Sequence, residues 1–531
     1  MSLSNVALSL LCIPIVLVVA VLSKYYRAGR RPANFPPGPP TLPFIGNITQ
    51  VPRAKAFLTF QRMQADHGSI IGLKVGAQNL VVLNSYKHVK ALFDQRGSIY
   101  SSRPRSYVAT QLVCPNEIHL LLLGYGPEWR KQRKIVQSLL NVNVVDRLLP
   151  IQNAEATQTM YELVQDPAAY YDHIRRYTTA VILASVYGQR GARFDAPNVQ
   201  ALYHAQDQFT EILETGATPP VDAFPFLKLV PEVLAPWKTW AKAVRGDQKA
   251  LYLRLVRETR ERLARGKSTD CYLHLMLQDQ EKNAMDDEHV AYLAGNLMEA
   301  GSDTTASTLL SFLLAMIKYP DEFKKAQAEV DRVCGSSRSP TSDDIDQLPF
   351  IKACMDETLR WRPVAAGGVP HMLTRDDTYE GHFLPKGTVL LANTWAIHMD
   401  EAEYEQPERF MPERFVDNEF GTRVPVDEDS DDQKNRRTSY GFGAGRRVCP
   451  GQRLAKNSLI LNMAKIAWGF DLAPPAGAGP VNDDIDTAYT DGFLITPRRF
   501  PITITPRSDA RKAIIVAEYE AVQPFFKKYE D

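Results

Sequence analysis

One cysteine in this sequence stands where a thiolate would be favoured. Cys449 follows the glycine-rich segment FGAGRRV at residues 442–448, and a helical pattern begins shortly after it, at Gln452. A sulfur in that position meets free backbone N–H groups and the positive end of a helix dipole, and both favour the ionised thiol. Because no second Cys or His lies at ligand spacing, zinc is disfavoured, whereas a single thiolate suits a haem iron. Taken alone, such a cysteine is more often a buried structural residue.

Two further segments precede this loop along the chain. Residues 357–360 read ETLR, which fits ExxR, and residues 412–415 read PERF, while the loop itself fits FxxGxRxCxG. An isolated ExxR on a helix would be an ordinary ion pair one turn apart. With three motifs in register, the chain resembles the cytochrome P450 haem-thiolate monooxygenases. The run ERFMPERF at residues 408–415 and the loop NRRTSYGFGAGRRVCPG at residues 435–451 are most similar to those of membrane-anchored fungal members that act in specialised metabolism. The resemblance implies that haem b is the cofactor and that Cys449 is its axial iron ligand.

The resemblance also gives the other two motifs a structural role. It implies a salt-bridged triad around the haem-binding loop, made of Glu357, Arg360 and Arg414. No signature position departs from the family pattern. This intactness favours an oxygenase over those family branches that rearrange peroxides or dehydrate their substrates.

A long helical pattern over residues 286–318 contains the family's AGxDT segment, at residues 300–304. Here Gly301 would let a flat cofactor approach, and Thr304 would hydrogen-bond back to its own helix and open it locally. The resemblance implies that Asp303 and Thr304 are the catalytic acid–alcohol pair that delivers protons to dioxygen. The alternative is a helix with a glycine kink and an exposed acid.

Haem carboxylates need cationic partners, because buried charges are costly unless they are paired. Residues 129–133 match the family's WxxxR, which places Trp129 and Arg133 on one helix face. Arg447 and His371 resemble further donors to the haem carboxylates, and for His371 the alternative is an ordinary strand histidine. Phe442 would pack beside the thiolate and shield it from solvent.

The elements that position these residues are predicted to be mostly helical. Hydrophobic periodicity predicts helices over residues 126–140, 153–166, 173–187, 247–265, 286–318, 321–333, 350–361 and 452–469. Residues 71–75 and 79–83 predict a β-hairpin, and strand signals return over 366–392 and 493–505. The expected fold class is mainly α with small β-sheets (α+β), a cytochrome P450-like helical prism with an N-terminal transmembrane helix.

Four regions are expected along the chain. Residues 1–31 would be a membrane anchor with a basic flank, 32–43 a Pro-rich hinge, 44–506 the haem-thiolate monooxygenase domain, and 507–531 a helical C-terminal extension. The apolar stretch 6–22 is long enough to span a hydrocarbon core of about 30 Å. Because the positive charges follow this stretch, the catalytic domain is placed on the cytoplasmic side of the endoplasmic reticulum membrane, with a single pass. A cleaved signal peptide and a buried core helix are the alternatives.

Composition excludes several other classes. The 62 Lys and Arg residues balance 61 Asp and Glu residues, and no basic stripe stands out, so a nucleic-acid partner is not expected. The six cysteines include no CxxC pair, which argues against a disulfide framework and against a structural zinc site. The body of the protein is expected in a reducing compartment.

The resemblance implies an NADPH- and O2-dependent monooxygenase that carries out hydroxylation or epoxidation. No flavin or nicotinamide segment accompanies the haem unit, so electrons would come from NADPH–cytochrome P450 reductase, with cytochrome b5 as a second candidate donor. The expected substrate is a small lipophilic compound, aromatic or polyketide-derived. The alternatives are a terpene or fatty acid substrate, a non-oxygenating haem protein such as an electron carrier or redox sensor, and a membrane-tethered interaction protein with a decayed site.

Substrate specificity is expected to lie in variable segments. They are residues 104–122, 205–240, 364–373 and 491–493, together with Gly295, Met298 and Glu299 at the front of the long helix. Within them, residues 219–240 combine several prolines with aromatic residues. This composition predicts an irregular apolar surface suited to the membrane interface, with a buried loop core as the alternative.

Overall fold

The computed structural model describes residues 29–214, 216–427, 429–430 and 433–530, together with Val16, Ser23 and Tyr26. The expected anchor over residues 6–22 therefore lies outside the described residues, except for Val16. Among the helices of the described residues, none is both long enough and apolar enough to cross a bilayer.

Helices dominate the described residues. The α-helices are α1 (Ala56–Arg62), α2 (Gln64–His67), α3 (Tyr86–Val89), α4 (Gly97–Tyr100), α5 (Pro127–Leu139), α6 (Val142–Asp146), α7 (Leu149–Gln165), α8 (Tyr170–Tyr187), α9 (Pro197–Leu213), α10 (Pro236–Ala264), α11 (Tyr272–Gln278), α12 (Asp287–Lys318), α13 (Pro320–Cys334), α14 (Pro349–Trp361), α15 (Thr394–His398), α16 (Gln452–Gly469) and α17 (Asp509–Phe526). Two π-helical segments span Lys90–Gln95 and Val108–Val113. Short 3-10 turns span Ile48–Gln50, Pro167–Ala169, Pro225–Leu229, Glu232–Leu234, Ser342–Gln347, Pro412–Phe415 and Gly445–Arg447.

The strands form three small sheets. They are β1 (Ile70–Val75), β2 (Gln78–Leu83), β3 (His371–Met372), β4 (Asp377–Tyr379), β5 (His382–Leu384), β6 (Val389–Ala392), β7 (Phe470–Ala473) and β8 (Thr503–Pro506). The largest sheet has the order β1-β2-β6-β3. In it β1 and β2 form an antiparallel hairpin that pairs Ile70 with Leu83, and β6 lies parallel to β2.

The structure confirms the mainly helical class with small sheets, and all eight predicted helices form. The hairpin over residues 71–75 and 79–83 is also confirmed. Two helices differ from the prediction. Helix α10 begins at Pro236, earlier than predicted, because a proline is favoured in the first turn of a helix, where its missing N–H costs nothing. Helix α9 was not predicted and occupies part of the stretch assigned to variable loops.

The long helix α12 is the element around which the site is built. Its N-terminus is capped by the Asp286 side chain, which accepts a hydrogen bond from the backbone N–H of His289 at 2.8 Å. Its C-terminus falls just before Pro320, as predicted. Most of its residues are buried, and its main neighbours include α8, α10 and α16. The helix is therefore packed against neighbours along most of its length, while Ala300, Gly301 and Thr304 line the cavity described below.

The segment over residues 219–240 is largely surface. Leu229, Val233 and Leu234 are 84%, 94% and 73% exposed, so this part of the stretch is not a buried loop core. Trp237 is half-buried and belongs to the first turn of α10 rather than to an irregular loop.

The C-terminal extension contains helix α17, which packs on α7. Tyr519 of α17 stacks on Tyr161 of α7 with ring centroids 3.9 Å apart. Beyond the helix, Glu530 forms an ion pair with Arg190 at 2.5 Å, and Lys528 forms one with Asp270 at 2.5 Å. These contacts tie the extension to the helical body.

Candidate active site

A mostly apolar internal cavity of about 410 Å³ lies between α12 and the loop before α16. Its lining includes all but one of the predicted site residues: Trp129, Arg133, Gly301, Thr304, His371, Phe442, Arg447 and Cys449. The exception is Asp303, which does not line the cavity. Segments far apart in sequence thus converge on one space of the size that proteins use for small molecules.

The loop that carries Cys449 is held by its own backbone and by a close neighbour. The backbone N–H of Cys449 donates to the carbonyl oxygen of Phe442 at 2.9 Å. Gly445 has a φ of +63°, and a Cβ there would lie 2.2 Å from the carbonyl oxygen of Phe93. Its N–H also donates to Oδ1 of Asp94 at 2.8 Å. Only glycine allows this approach, so the residue fixes how the loop sits on the segment that contains Phe93.

The cysteine environment differs in one respect from expectation. Burial raises the pKa of the Cys449 thiol, while the Gly451 N–H and the nearby charge of Arg133 oppose the rise without reversing it. The helix N-terminus alone therefore does not make this thiol acidic. A ligated metal cation deprotonates a thiol outright, so iron ligation is compatible with the site. Among the described residues, no cluster of three or more His, Cys, Asp or Glu side chains could hold a metal ion.

The predicted triad is confirmed. Arg360 donates to both carboxylate oxygens of Glu357, at 2.7 and 2.8 Å, and Nε of Arg414 lies 3.2 Å from the same carboxylate. The backbone N–H of Met411 adds a further hydrogen bond to Glu357 at 2.8 Å. Glu357 is fully buried, so this network joins α14 to the PERF turn with no exposure of the carboxylate to solvent.

Among the described residues, three arginines at the cavity hydrogen-bond only to backbone carbonyl groups. Nη2 of Arg133 donates to the carbonyl oxygen of Val448 at 2.5 Å. Arg447 donates to two carbonyl oxygens, at 2.8 and 2.6 Å, and lies over the ring of Trp129 at 4.3 Å. Arg103, which the sequence did not single out, donates to three carbonyl oxygens at 2.5–3.2 Å. Within the described residues, no carboxylate lies within salt-bridge distance of any of the three.

Their charges repel one another in a poorly solvated space. Burial and the neighbouring charges of Arg103 and Arg133 lower the pKa of Arg447 to about 8. Burial lowers the pKa of Arg103 to about 9 and also lowers that of Arg133. Two buried cations, Arg103 and Arg133, and the partly buried Arg447 have no carboxylate partner among the described residues, and they call for an anionic ligand in the cavity. The two carboxylates of a haem meet that requirement, and an apolar cavity beside Cys449 suits its macrocycle, so the residues present fit the group.

His371 is less suited to its predicted role than the arginines. Its Nδ1 lies 2.8 Å from the carbonyl oxygen of Tyr100, and its ring stacks on Phe93 at 3.9 Å. Because a carbonyl only accepts, Nδ1 carries the proton, and the other nitrogen of a neutral ring is an acceptor. Burial, with help from Arg103, holds the pKa of His371 well below its usual value. His371 would therefore donate a hydrogen bond to a haem carboxylate only if its ring were protonated at both nitrogens. The negative charge of the carboxylate would favour that protonation.

The two members of the predicted acid–alcohol pair face different directions. Thr304 lines the cavity, and its hydroxyl donates to the carbonyl oxygen of Ala300 at 2.7 Å, as expected from the sequence. Asp303 instead turns towards α8, where its carboxylate lies 3.5 Å from Nη2 of Arg175. Burial, with a contribution from Asp207, raises the pKa of Asp303, and Arg175 opposes this rise. The two side chains share no hydrogen bond in this structure.

Gly301 also serves helix packing. A Cβ at this position would lie 2.3 Å from Cδ1 of Ile182 on α8, while the glycine itself lines the cavity. The residue thus lets α8 approach α12, a reason for the glycine that the motif alone did not indicate.

Comparisons with known proteins agree with this geometry. The family profile described as cytochrome P450 matches residues 36–504. The chain is 37% identical over 515 residues to the cytochrome P450 monooxygenase patH of Penicillium expansum, covering 96% of this chain and 97% of that one. It is 36% identical over 516 residues to acuC of Aspergillus aculeatus, also named a cytochrome P450 monooxygenase, covering 96% of each chain. A solved zebrafish cytochrome P450 with progesterone superimposes with a TM-score of 0.71 at 25% identity, over 85% of this chain and 99% of that chain.

Proposed function

This chain belongs to the cytochrome P450 family, and we propose that it inserts one atom of dioxygen into a small lipophilic substrate by hydroxylation or epoxidation. The proposed substrate is an aromatic or polyketide-derived intermediate of fungal secondary metabolism. The observation that carries the proposal is a single cavity whose lining combines Cys449, Thr304 and three arginines that have no carboxylate partner among the described residues.

Haem b, when bound, supplies the activation of dioxygen. Cys449 would ligate the haem iron through its sulfur, and Arg103, Arg133 and Arg447 would pair with the haem carboxylates. Phe442 lines the same space and would shield the sulfur from water. The cation–π contact between Arg447 and Trp129 fixes the guanidinium in place before the anion arrives.

Thr304 is positioned to take part in proton transfer. Because its hydroxyl hydrogen is donated to the carbonyl oxygen of Ala300, the oxygen Oγ1 presents its lone pairs to the cavity. Those lone pairs would hold a proton-donating water near the reacting atoms. Asp303 would act indirectly, as a proton reservoir on the other side of α12, where burial raises its pKa and Arg175 opposes the rise.

We further propose that electrons come from NADPH through a flavoprotein reductase, with cytochrome b5 as a second candidate donor. Exposed cations near the loop of Cys449 support an acidic partner surface there. Arg130 and Arg446 both lie over the ring of Tyr125, at 5.8 and 5.2 Å, and both are exposed. A flavoprotein with acidic side chains around its electron-transfer site would complement this surface.

The proposed location is the endoplasmic reticulum membrane, with the catalytic domain on the cytoplasmic side. The exposed apolar side chains of Leu229, Val233 and Leu234 support contact with a lipid interface. This surface and the N-terminal segment would together hold the catalytic domain at the bilayer.

The reaction can be tested with isotopically labelled dioxygen. The full chain in membranes is mixed with a fungal reductase, NADPH and a panel of phenols, polyketide lactones, terpenes and fatty acids, and products are weighed by mass spectrometry. One labelled oxygen atom per product molecule is expected. The absence of labelled product from the entire panel, with haem bound and reduced, would count against monooxygenation of these compounds.

A non-oxygenating haem protein is the second candidate, and Thr304→Ala separates the two. In a monooxygenase this variant should consume NADPH with much less product, whereas Thr304→Ser, which keeps the hydroxyl, should retain coupling. In an electron carrier or redox sensor, neither substitution should change the electron-transfer rate.

A further inference from the structure

The carboxylate of Glu299 is buried and lines the same cavity. On α12, Glu299 lies closer to the N-terminus of the helix than Thr304 does. Glu299 is 8% exposed, and its Oε1 accepts hydrogen bonds from the hydroxyl of Tyr252 and from Nε2 of Gln248, the latter at 2.9 Å. Its second oxygen, Oε2, accepts no hydrogen bond from the described residues. The first oxygen is therefore fixed by α10, and the second remains available.

A histidine faces that second oxygen without a hydrogen bond of its own. Nε2 of His119 lies 3.4 Å from Oε2 of Glu299, and the imidazole stacks on Phe209 with centroids 4.8 Å apart. His119 is 4% exposed and also lines the cavity. Neither of its ring nitrogens has a hydrogen-bond partner in the part of the chain that the structure describes. A buried imidazole that is held by stacking but makes no hydrogen bond is costly, unless a ligand supplies one.

We infer that His119 and Glu299 together bind a hydroxyl group of the substrate, an inference that rests on the proposed function. An oxygen atom about 2.8 Å from both Nε2 and Oε2 can donate its hydrogen to the carboxylate and accept one from the imidazole. Ethers and ketones only accept, so they would leave Oε2 unpaired. A carboxylate on the ligand would be repelled by Glu299. An alcohol or a phenol satisfies both groups.

This pair also sets how the substrate lies. Glu299 and Thr304 are five residues apart on α12, which corresponds to about 7.5 Å along the helix axis. The lining near this part of α12 includes apolar side chains such as those of Ile182 and Leu297. The substrate is therefore an apolar body with a hydroxyl at one end, and the carbon to be oxidised lies at the other end, near Thr304. His119 and Glu299 are specificity-determining residues in this arrangement.

The test compares two ligands that differ only in whether they carry the hydroxyl group. The full-length haem protein in membranes is titrated with 4-ethylphenol and with 4-ethyltoluene, in which a methyl group replaces the hydroxyl, and the shift of the haem Soret band gives each Kd. The variants are Glu299→Gln, which replaces an acceptor oxygen by an amide donor, and His119→Phe, which keeps the ring stacked on Phe209. Thr210→Val is the matched control, because the Thr210 hydroxyl lines the same cavity but already donates within its own helix.

The wild-type protein is expected to bind 4-ethylphenol more tightly than 4-ethyltoluene. Glu299→Gln and His119→Phe should each reduce this preference by about 10- to 100-fold, the usual effect of losing a hydrogen bond that involves a charged group. Thr210→Val should leave the preference unchanged. Equal binding of both ligands by the wild type, or a preference that survives in both variants, would overturn the inference while leaving the haem protein intact. A chain without a thiolate-haem spectrum would instead overturn the proposed function, and this inference with it.

Discussion

Replacement of Arg447 by methionine tests whether the arginines at the cavity hold the haem carboxylates. Methionine removes the charge but keeps much of the apolar stem that lies over Trp129. The neighbouring Arg446 offers a matched control. It belongs to the same loop, is exposed, contacts Tyr125 and does not line the cavity.

The site disfavours the charge of Arg447 until an anion binds, and this sets the expected effect of the substitution on haem loss. A pKa of about 8 in place of 12.5 means that the site disfavours the charged guanidinium by up to about 6 kcal/mol, at 1.36 kcal/mol for each pH unit. Residual solvent contact screens part of this cost, and a bound anion offsets more of it. A hydrogen bond between charged groups contributes about 1.5–3 kcal/mol, so Arg447→Met should speed haem loss by about 10- to 150-fold.

The assay is transfer of haem from the purified protein to excess apomyoglobin, followed by absorbance. Arg447→Met should lose haem much faster than the wild type, and Arg446→Met should match the wild type. Equal rates for the two variants would contradict the assignment of Arg447 to a haem carboxylate.

Three further predictions concern the scaffold of the site. Glu357→Gln leaves two buried arginines without their counter-charge and should lower the free energy of unfolding in urea by about 3–5 kcal/mol; a loss below 1 kcal/mol would argue against a stabilising triad. Burial and Arg360 lower the pKa of His398 to about 3, so the neutral ring favours folding above the unfolded pKa of about 6.5. Stability should therefore fall as the pH drops from 6.5 towards 3, by about 1.4 kcal/mol per pH unit in urea titrations, and His398→Asn should flatten this slope. Gly445→Ala should reduce the haem-to-protein ratio far more than Gly443→Ala, because both glycines have a positive φ but only Gly445 closely approaches another backbone; similar ratios would contradict this reason.

The motifs predicted the part of the site that depends on neighbours along the chain. The ETLR and PERF segments indicated the triad, and the glycine-rich loop indicated the cysteine that is proposed as the haem ligand. The hydrophobic period likewise located α12 and its end before Pro320. The helix and the loop are local features, because each is largely determined by the residues within it. The triad joins two distant segments, so it was predicted through the family resemblance.

The remaining features depend on contacts between distant segments, which spacing does not encode. Asp303 and Thr304 are adjacent in sequence, but successive residues of a helix point about 100° apart, so only one of them faces the cavity. Arg103 became evident through its lack of a carboxylate partner, and His119 became evident through its place opposite Glu299. No periodicity or motif marks either residue.

The absorption spectrum of the reduced protein under carbon monoxide tests the central claim most directly. We expect the purified full-length chain to show the spectrum of a thiolate-ligated haem, and Cys449→Ala to lose it. Cys334→Ala, which removes a cysteine that does not line the cavity, should keep the spectrum. A wild-type protein without this spectrum, or a Cys449→Ala variant that retains it, would contradict the assignment of Cys449 as the haem ligand.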